Sequence, residues 1–351
     1  MEVSKEKFGE ISGQTVHLFT IKNDKGMTVT CLDYGCIITK ILAPDRDGEV
    51  ENIVLGFDSL EEYLEHSPYF GAVVGRVAGR IKEGQFELNG QSYSLPRNES
   101  QNHIHGGPKG FSHVVWETAV FEKENEAGVE FSYRSPDGEE GYPGNVDIKV
   151  IYRLNNRNEL VISYDGVSDQ DTLLNVTNHS YFNLSGNLKR KILDHTLTLK
   201  SDQFLELDRE LLPTGQVVDV ENTPFDFRKG QKLQRGPASS HAQNQLVGNG
   251  FDHPFLLSGN DQEEIILVDE ESGRKLVVET DQPSVVLYTG NQLQENFHIR
   301  GTRSEKYLGV CLETQGPPDS IHHPQFQSAI LEKGKAYHAE TTYHFTTMNS
   351  K

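Results

Sequence analysis

The sequence of 351 residues is poor in cysteine: it has only Cys31, Cys36 and Cys311, and no Cys-x-x-Cys pair. An odd number at such spacings argues against a disulfide framework and predicts reduced thiols in a cytoplasmic protein. Long hydrophobic runs are also missing. Gly71–Gly75 and Ile265–Val268 are among the longest, far below the ~20 apolar residues that a membrane span needs. We therefore expect no membrane partner.

Positive charge is in short supply, with 33 Lys and Arg against 52 Asp and Glu and a formal net charge of −19. A field of this sign repels polyanions, so we expect no nucleic-acid partner. A phosphorylated substrate would need a local cluster of basic side chains. The first residues, Met1 to Lys7, lack the apolar segment of a secretory signal. These absences favour a cytoplasmic protein that acts on a neutral small molecule.

What the sequence does have is period-two alternation interrupted by turns, the pattern of half-buried strands. The clearest alternating stretches are 129–133, 146–154 and 160–164. Asn89-Gly90 predicts a two-residue hairpin. Helix signals are few, and the capping box that starts at Ser59 predicts a short helix over Leu60 to His66. The pattern predicts an all-β, mostly antiparallel sandwich or barrel with few short helices.

The polar stretch of residues 235–250 has a composition that suits either a linker or a long surface loop. Strand patterns continue on both sides of it without a change of composition, which favours the loop. No internal repeat is visible. We therefore predict a single domain over residues 1–351.

Four polar segments interrupt the strand pattern where chemistry would be expected. They are Asn102–Gly107, Asn175–Leu184, Gly250–Phe255 and Leu312–Asp319. Imidazolium can donate a proton and carboxylate can accept one near neutral pH. His179 and Glu313 are therefore candidates for an acid and a base, although His179 could instead be a hydrogen-bonded structural residue and Glu313 a paired carboxylate.

Histidine and arginine pairs leave further alternatives open. His103 and His105, or His322-His323, could ligate a metal, but an isolated pair without a third ligand is weak evidence. We therefore predict no metal. Arg76 and Arg80 could clamp an oxygen-rich ligand, or could only pair with the surplus of acidic groups.

Taken in order, these motifs resemble the aldose 1-epimerase (galactose mutarotase) family. The matching segments are Gly75–Lys82, Phe86–Gly90, Ile104–Gly107, Ser135–Gly144, Thr177–Leu184, Thr223–Phe227, Phe251–His253 and Leu312–Gln315. Any one segment is unspecific, whereas the ordered set is specific. The resemblance implies a galactose-mutarotase-like β-supersandwich, a monomer or homodimer, that interconverts the α and β anomers of free aldohexoses such as galactose and glucose. It implies no cofactor.

The resemblance also implies roles for individual residues. Glu313 is similar to the family's general base, His179 to its general acid, and His105 to a second imidazole near the ring oxygen. The residues implied to bind the sugar or to form the pocket wall are Gly79, Arg80, Ser180, Tyr181 and Asp252. The chain departs from the family at Gly79, where many members have Asn, and at Val286, where some have Gln or an aromatic residue.

These roles lead to an expectation about protonation. Glu313 should act as a carboxylate and His179 as an imidazolium, with the carboxylates of Glu313 and Asp252 raising the pKa of His179 above its ordinary ~6.5. Two alternative functions remain: a hexose-6-phosphate 1-epimerase on the same fold, and a non-catalytic carbohydrate-binding protein. The phosphate enzyme would require basic side chains in the pocket, and the binding protein would not require both an acid and a base.

Overall fold

A computed structural model describes residues 1–258 and 263–348, most of which lie in strands and the turns between them. The strands are β1 (Glu2–Ile11), β2 (Gln14–Lys22), β3 (Thr28–Leu32), β4 (Ile38–Pro44), β5 (Val50–Asn52), β6 (Val73–Val74), β7 (Arg80–Ile81), β8 (Gln85–Leu88), β9 (Gln91–Ser94), β10 (His103–Ile104), β11 (Glu117–Glu122), β12 (Glu126–Ser135), β13 (Val146–Asn155), β14 (Glu159–Ser168), β15 (Thr172–Leu173), β16 (Thr177–Asn178), β17 (Tyr181–Phe182), β18 (Thr196–Leu199), β19 (Gln203–Leu207), β20 (Pro213–Asp219), β21 (Gln231–Lys232), β22 (Asp252–Leu256), β23 (Ile265–Val268), β24 (Arg274–Thr280), β25 (Ser284–Tyr288), β26 (His298–Ile299), β27 (Thr302–Arg303), β28 (Val310–Gln315), β29 (Ile330–Leu331) and β30 (Ala336–Thr347).

Helices in the described ranges are short. The α-helices are α1 (Leu60–His66) and α2 (Ala242–Leu246), and the 3₁₀ turns are Lys82–Gly84, Phe111–His113, Glu139–Gly141, Ile192–Asp194, Leu233–Arg235 and Ser320–His322. None of the helices in residues 1–258 and 263–348 is long and apolar enough to cross a membrane.

Three larger sheets organise the chain. The nine-stranded sheet has the order β11-β12-β13-β14-β30-β24-β23-β18-β21, the six-stranded sheet β17-β28-β25-β22-β19-β20, and the five-stranded sheet β1-β2-β3-β4-β5. Neighbouring strands in all three run antiparallel. The predicted all-β, mostly antiparallel fold class with few short helices is confirmed.

One hydrophobic core joins the three sheets, because each contributes the apolar face of its strands. On β13 every second residue is buried: Val146, Ile148, Val150, Tyr152 and Leu154. Side chains from the six-stranded sheet, such as Leu287 and Leu312, belong to the same buried cluster. The opposite face of the six-stranded sheet is therefore free to carry polar groups.

Two local predictions are confirmed. Helix α1 occupies Leu60–His66, and the Ser59 hydroxyl accepts a hydrogen bond from the amide of Glu62 at 3.3 Å. Asn89 and Gly90 join β8 to β9 with φ of 54° and 75°, the two positive values that a type I′ turn requires.

The interpretation of residues 235–250 as a loop was wrong in part, because α2 lies inside the stretch. His241 caps this helix, its Nδ1 accepting from the amide of Gln243 at 3.2 Å. The Asn244 side chain is buried and donates to the carbonyl of Gly250 at 2.7 Å. That hydrogen bond lies within the segment, and the Gln243 side chain joins the segment to the Leu207 backbone, donating to its carbonyl at 2.9 Å and accepting from its amide at 2.9 Å. The single domain over residues 1–351 stays a prediction.

Candidate active site

A row of side chains crosses the polar face of the six-stranded sheet. Tyr181 on β17 pairs with Cys311 on β28, Cys311 with Tyr288 on β25, and Tyr288 with Asp252 on β22. Glu313 lies two residues beyond Cys311 and, because strand side chains alternate, projects from the same face. Residues far apart in the sequence are thus brought side by side by strand register.

This face forms the floor of a cavity of about 440 Å³, a size typical of small-molecule sites. The predicted site residues that line it are Gly79, Arg80, His105, His179, Tyr181, Asp252 and Glu313. The structure therefore brings together all the site residues that the family resemblance implied, with the exception of Ser180.

His179 and Glu313 face each other at the floor of the cavity. The His179 Nε2 atom lies 3.6 Å from the Glu313 Oε1 atom, and the two residues are only 5% and 4% exposed. The backbone of His179 is held on both sides, since its amide donates to the carbonyl of Ala72 at 2.8 Å and its carbonyl accepts from the amide of Gly71 at 3.1 Å. A titratable pair is therefore fixed within reach of one bound molecule.

Burial determines the protonation of this pair. Removal from water lowers the pKa of His179 to about 4. Burial, reinforced by the negative charge of Asp252, raises the pKa of Glu313 well above its ordinary value, although Arg80 opposes this. The expectation that nearby carboxylates raise the pKa of His179 was wrong, because the cost of burying a charged imidazole outweighs their attraction.

The second nitrogen of His179 contacts a thiol. Cys311 Sγ lies 3.6 Å from His179 Nδ1, and burial raises the pKa of this thiol, so that it stays protonated. A thiol is both a weak donor and a weak acceptor. It can therefore accompany His179 whether Nδ1 carries a proton or not. Cys31, Cys36 and Cys311 are all free and buried, as the sequence predicted.

His105 is held in one tautomer by the backbone of Gly79. Its Nδ1 atom accepts from the Gly79 amide at 3.2 Å, and its own amide donates to the Gly79 carbonyl at 3.1 Å. Burial, followed by the charge of His179, lowers the pKa of His105 well below its ordinary value. The neutral ring must then carry its proton on Nε2, where it is a hydrogen-bond donor.

His105, His179 and Glu313 also form a group whose ligand atoms lie within 4.8 Å of one another. A metal would need a lone pair on Nε2 of His105, which bears the proton as long as Nδ1 accepts from Gly79. The donor chemistry therefore suits hydrogen bonding to a ligand better than metal coordination, and the absence of a metal stays a prediction.

Arg80 is oriented by a residue that the sequence reasoning missed. Its Nε and Nη2 atoms donate to the two carboxylate oxygens of Glu99 at 3.1 and 2.9 Å. This bidentate contact leaves Nη1 without a hydrogen-bond partner among the described residues. Arg80 lines the cavity, so Nη1 is available to a ligand. Nothing in the local sequence around Glu99 indicated that it would meet Arg80.

The departure from the family at Gly79 has a steric cause. Gly79 has φ of 77°, and a Cβ atom placed on it would lie 2.8 Å from Cβ of Pro318. A side chain at this position would therefore have to displace Pro318. The side-chain amide that many family members carry here has no room in this chain.

Ser180 does not line the cavity, although His179 and Tyr181 on either side of it do. Its hydroxyl is buried and has no hydrogen-bond partner among the described residues. Tyr181 does line the cavity, but its hydroxyl donates to the carbonyl of Pro68 at 3.0 Å. Tyr181 therefore holds the backbone near α1 as well as forming the pocket wall.

Two tyrosines of the cavity were missed. Tyr288 lines it, and its hydroxyl accepts from the amide of Gln292 at 3.1 Å. Its alternation with Val286, which also lines the cavity, was a signal that could have identified it. Tyr69 packs against both His105 and His179, and its sequence context contained no such signal.

Arg76 and His103, for which the sequence left alternatives open, both have structural roles. The Arg76 guanidinium is buried and donates to four carbonyls of the turn cluster: Ser135, Pro136, Pro143 and Gly144. His103 contacts the carbonyl of Pro96 through Nδ1 at 2.7 Å and the hydroxyl of Tyr142 through Nε2 at 2.8 Å. His322 and His323 lie against Asp319. None of these residues lines the cavity.

Comparisons with known proteins agree with this geometry. A sequence model of the family described as aldose 1-epimerase matches residues 17–344. The galactose mutarotase of Bos taurus is 42% identical over 351 residues, which cover 99% of this chain and 99% of that protein, and the galactose mutarotase of Mus musculus is also 42% identical with the same coverage. A crystal structure of galactose 1-epimerase from Lactobacillus acidophilus has a TM-score of 0.88 and 32% identity, with 99% of each chain covered. The β-supersandwich that the resemblance implied is confirmed.

Proposed function

Since the chain belongs to the aldose 1-epimerase family and is an aldose 1-epimerase, we propose that His179 and Glu313 carry out its acid–base chemistry. Opening the sugar ring requires the removal of a proton from the anomeric hydroxyl and the addition of one to the ring oxygen. The observation that carries the proposal is the 3.6 Å approach of His179 Nε2 to Glu313 Oε1 on the floor of the cavity.

The pair needs one proton between its two members. Glu313 as carboxylate accepts the anomeric proton while His179 as imidazolium protonates the ring oxygen. The open aldehyde then rotates about its C1–C2 bond and closes with the other face presented, and each group works in the opposite sense. Arg80 draws Glu313 toward its ionised form, against the effect of burial, so the proton belongs to the pair and not to one residue.

The other predicted site residues fit hydroxyl binding. His105 offers an Nε2–H donor and Arg80 its remaining Nη1–H donors, while Asp252 offers carboxylate acceptors. Holding the hydroxyls at fixed positions would restrict movement to the anomeric end of the sugar, which is how positioning contributes to rate.

The substrates we propose are neutral aldohexoses such as galactose and glucose. Among the described lining residues, Arg80 is the one Lys or Arg side chain, and it is already paired with Glu99. Glu65 and Asp252 add carboxyl groups to the same lining. A sugar phosphate would meet this carboxylate-rich lining unfavourably. This charge distribution disfavours the hexose-6-phosphate alternative, and the family's activity disfavours a non-catalytic binding protein.

The decisive experiment follows the optical rotation of freshly dissolved α-D-glucose and α-D-galactose. We expect His179→Gln and Glu313→Gln each to lower kcat by ~10²-fold or more, within the range of general acid–base groups. Glu87→Gln, at an exposed position on β8 outside the cavity, serves as a folded control with turnover near that of the parent. A folded Glu313→Gln protein with normal turnover would remove Glu313 as the base.

We also propose a cytoplasmic location, supported by the three free and buried thiols, and a monomeric or homodimeric state. Sedimentation of the purified protein distinguishes the two states, and a larger assembly would contradict both.

A further inference from the structure

Tyr69 lies in a tight turn between α1 and β6 whose backbone is unusual for a large residue. Its φ is 65°, in the left-handed region that non-glycine residues rarely adopt. Such a conformation persists only where the surrounding structure holds it. Here the turn is closed by hydrogen bonds from the Phe70 amide to the Ser67 hydroxyl at 2.9 Å and from the Ala72 amide to the Tyr69 carbonyl at 3.0 Å.

The same turn is tied to the catalytic histidine. The amide and carbonyl of His179 bond to Ala72 and Gly71, and the Asn178 side chain donates to the Gly71 carbonyl at 2.9 Å. The Tyr181 hydroxyl donates to Pro68, directly before Tyr69. The position of Tyr69 relative to His179 is therefore determined by backbone hydrogen bonds on both sides of the turn.

The Tyr69 ring completes a triangle of rings at the cavity. Its centroid lies 4.8 Å from that of His105, edge to face, and 5.9 Å from that of His179, with the planes 30° apart. The two imidazoles are themselves 5.2 Å apart. Tyr69 is thus the aromatic side chain that contacts both imidazoles of the site.

The hydroxyl of Tyr69 is not used by the protein. Tyr69 lines the cavity and is partly exposed, and its hydroxyl has no hydrogen-bond partner among residues 1–258 and 263–348. Burial and the negative charge of Glu99 raise the pKa of the phenol, which keeps the hydroxyl protonated. A strained turn therefore presents an unpaired donor to the ligand.

We propose that Tyr69 is a further substrate-contacting residue, whose hydroxyl forms a hydrogen bond with one hydroxyl of the bound aldose while its ring holds the two imidazoles apart from water. The inference rests on the function proposed for the cavity. A neutral hydrogen bond of this kind changes affinity by about 3- to 10-fold.

The test compares the parent with Tyr69→Phe on glucose and on a series of aldoses that each lack one hydroxyl, at C2, C3, C4 or C6. The phenylalanine keeps the ring and removes only the hydroxyl. We expect kcat/KM for glucose to fall by about 3- to 10-fold, mainly through KM. For the deoxy sugar that lacks the hydroxyl bound by Tyr69, the ratio of the parent kcat/KM to the variant kcat/KM should return to about 1. With that sugar neither protein can form the hydrogen bond, so removing the phenol hydroxyl has no further effect.

Tyr93→Phe is the matched control. Tyr93 is partly buried, stacks on Phe86 at 5.1 Å and lies outside the cavity. Tyr93→Phe should leave the ratio of parent to variant kcat/KM at about 1 for every sugar. If Tyr69→Phe changes nothing for any sugar, or lowers kcat/KM by the same factor for all of them, the hydroxyl does not contact the substrate and the proposal is overturned. A parent protein that does not interconvert the anomers of any of these sugars would instead refute the proposed function.

Discussion

At the scale of single residues, desolvation dominates the chemistry of the cavity. His179 has its pKa lowered to about 4 and Glu313 has its pKa raised, in both cases with burial as the largest cause. Each shift disfavours the charged form of its group. Without bound sugar, the pair therefore favours a neutral imidazole beside a protonated carboxyl. The reactive state has to be created in the presence of the sugar.

The pH dependence of kcat/KM follows from these directions. As the pH falls through about 4, His179 gains a proton and the pair, now holding two protons, has no base. As the pH rises through the raised pKa of Glu313, the pair loses its single proton and has no acid. We therefore expect a bell-shaped profile whose acidic limb lies well below the ordinary histidine pKa of ~6.5.

Initial rates of mutarotation at low substrate concentration measure this profile, with each sample returned to neutral pH as a control for irreversible loss. An acidic limb centred near 6.5 would mean that His179 titrates as an exposed histidine, contrary to its burial in the structure.

Glu313 should also lower the stability of the fold. Its pKa is higher in the folded than in the unfolded protein, so the free energy of unfolding decreases as the pH rises above the ordinary carboxyl value of ~4.3. Glu313→Gln keeps the shape and removes the charge. We expect a Tm higher than that of the parent by about 2 °C or more at neutral pH, with the difference disappearing below pH ~4.

Thermal unfolding followed by circular dichroism at both pH values measures this effect. The exposed Glu87→Gln on β8 is the control and should show no such pH-dependent difference. An unchanged or lower Tm of Glu313→Gln at neutral pH would contradict a raised pKa of the carboxyl.

At the scale of elements, the turn cluster at 135–144 depends on an arginine from a distant segment. Arg76 donates to four of its carbonyls and, through Nε, to the Ser135 hydroxyl at 2.8 Å. Three residues later in the same segment, Gly79 holds His105, and Arg80 follows. The buried guanidinium therefore fixes the segment from which two cavity residues project.

Replacing Arg76 by Met should leave these carbonyls buried without donors. We expect the free energy of unfolding to fall by ~3–5 kcal/mol, the range for breaking a buried charged network, as measured by urea denaturation. Arg134→Met, at an exposed pair with Asp147, should change it by less than ~1 kcal/mol. A similar small loss for Arg76→Met would show that the network contributes little.

At the scale of the whole molecule, the net charge of −19 and the carboxylates of the cavity act in the same direction. Both repel a dianionic substrate, and the available cation at the cavity is paired with Glu99. We therefore expect kcat/KM for glucose to exceed that for glucose 6-phosphate, and the difference to shrink at high salt because screening shortens the range of the field.

Rates measured at low and high ionic strength with both sugars check this expectation. Equal or faster turnover of the phosphate would favour the hexose-6-phosphate alternative. A preference for glucose that salt does not alter would attribute the selectivity to cavity shape instead of charge.

The sequence by itself determined what depends on near neighbours in the chain. Alternation predicted the strands, Ser59 predicted the start of α1, and Asn89-Gly90 predicted the hairpin, because these features are set by local backbone geometry. The ordered motifs were sufficient to identify the family and to point to His179 and Glu313.

Only the tertiary structure decided what those residues are able to do. Strand register places Glu313 opposite His179 and in the same cavity as Asp252, and the depth of that cavity reverses the pKa shift expected from charge alone. The partnership of Arg80 with Glu99 and the strained turn that carries Tyr69 have no counterpart in sequence spacing. The reason is that desolvation and hydrogen bonding act through space, between segments whose distance is fixed only when the sheets pack.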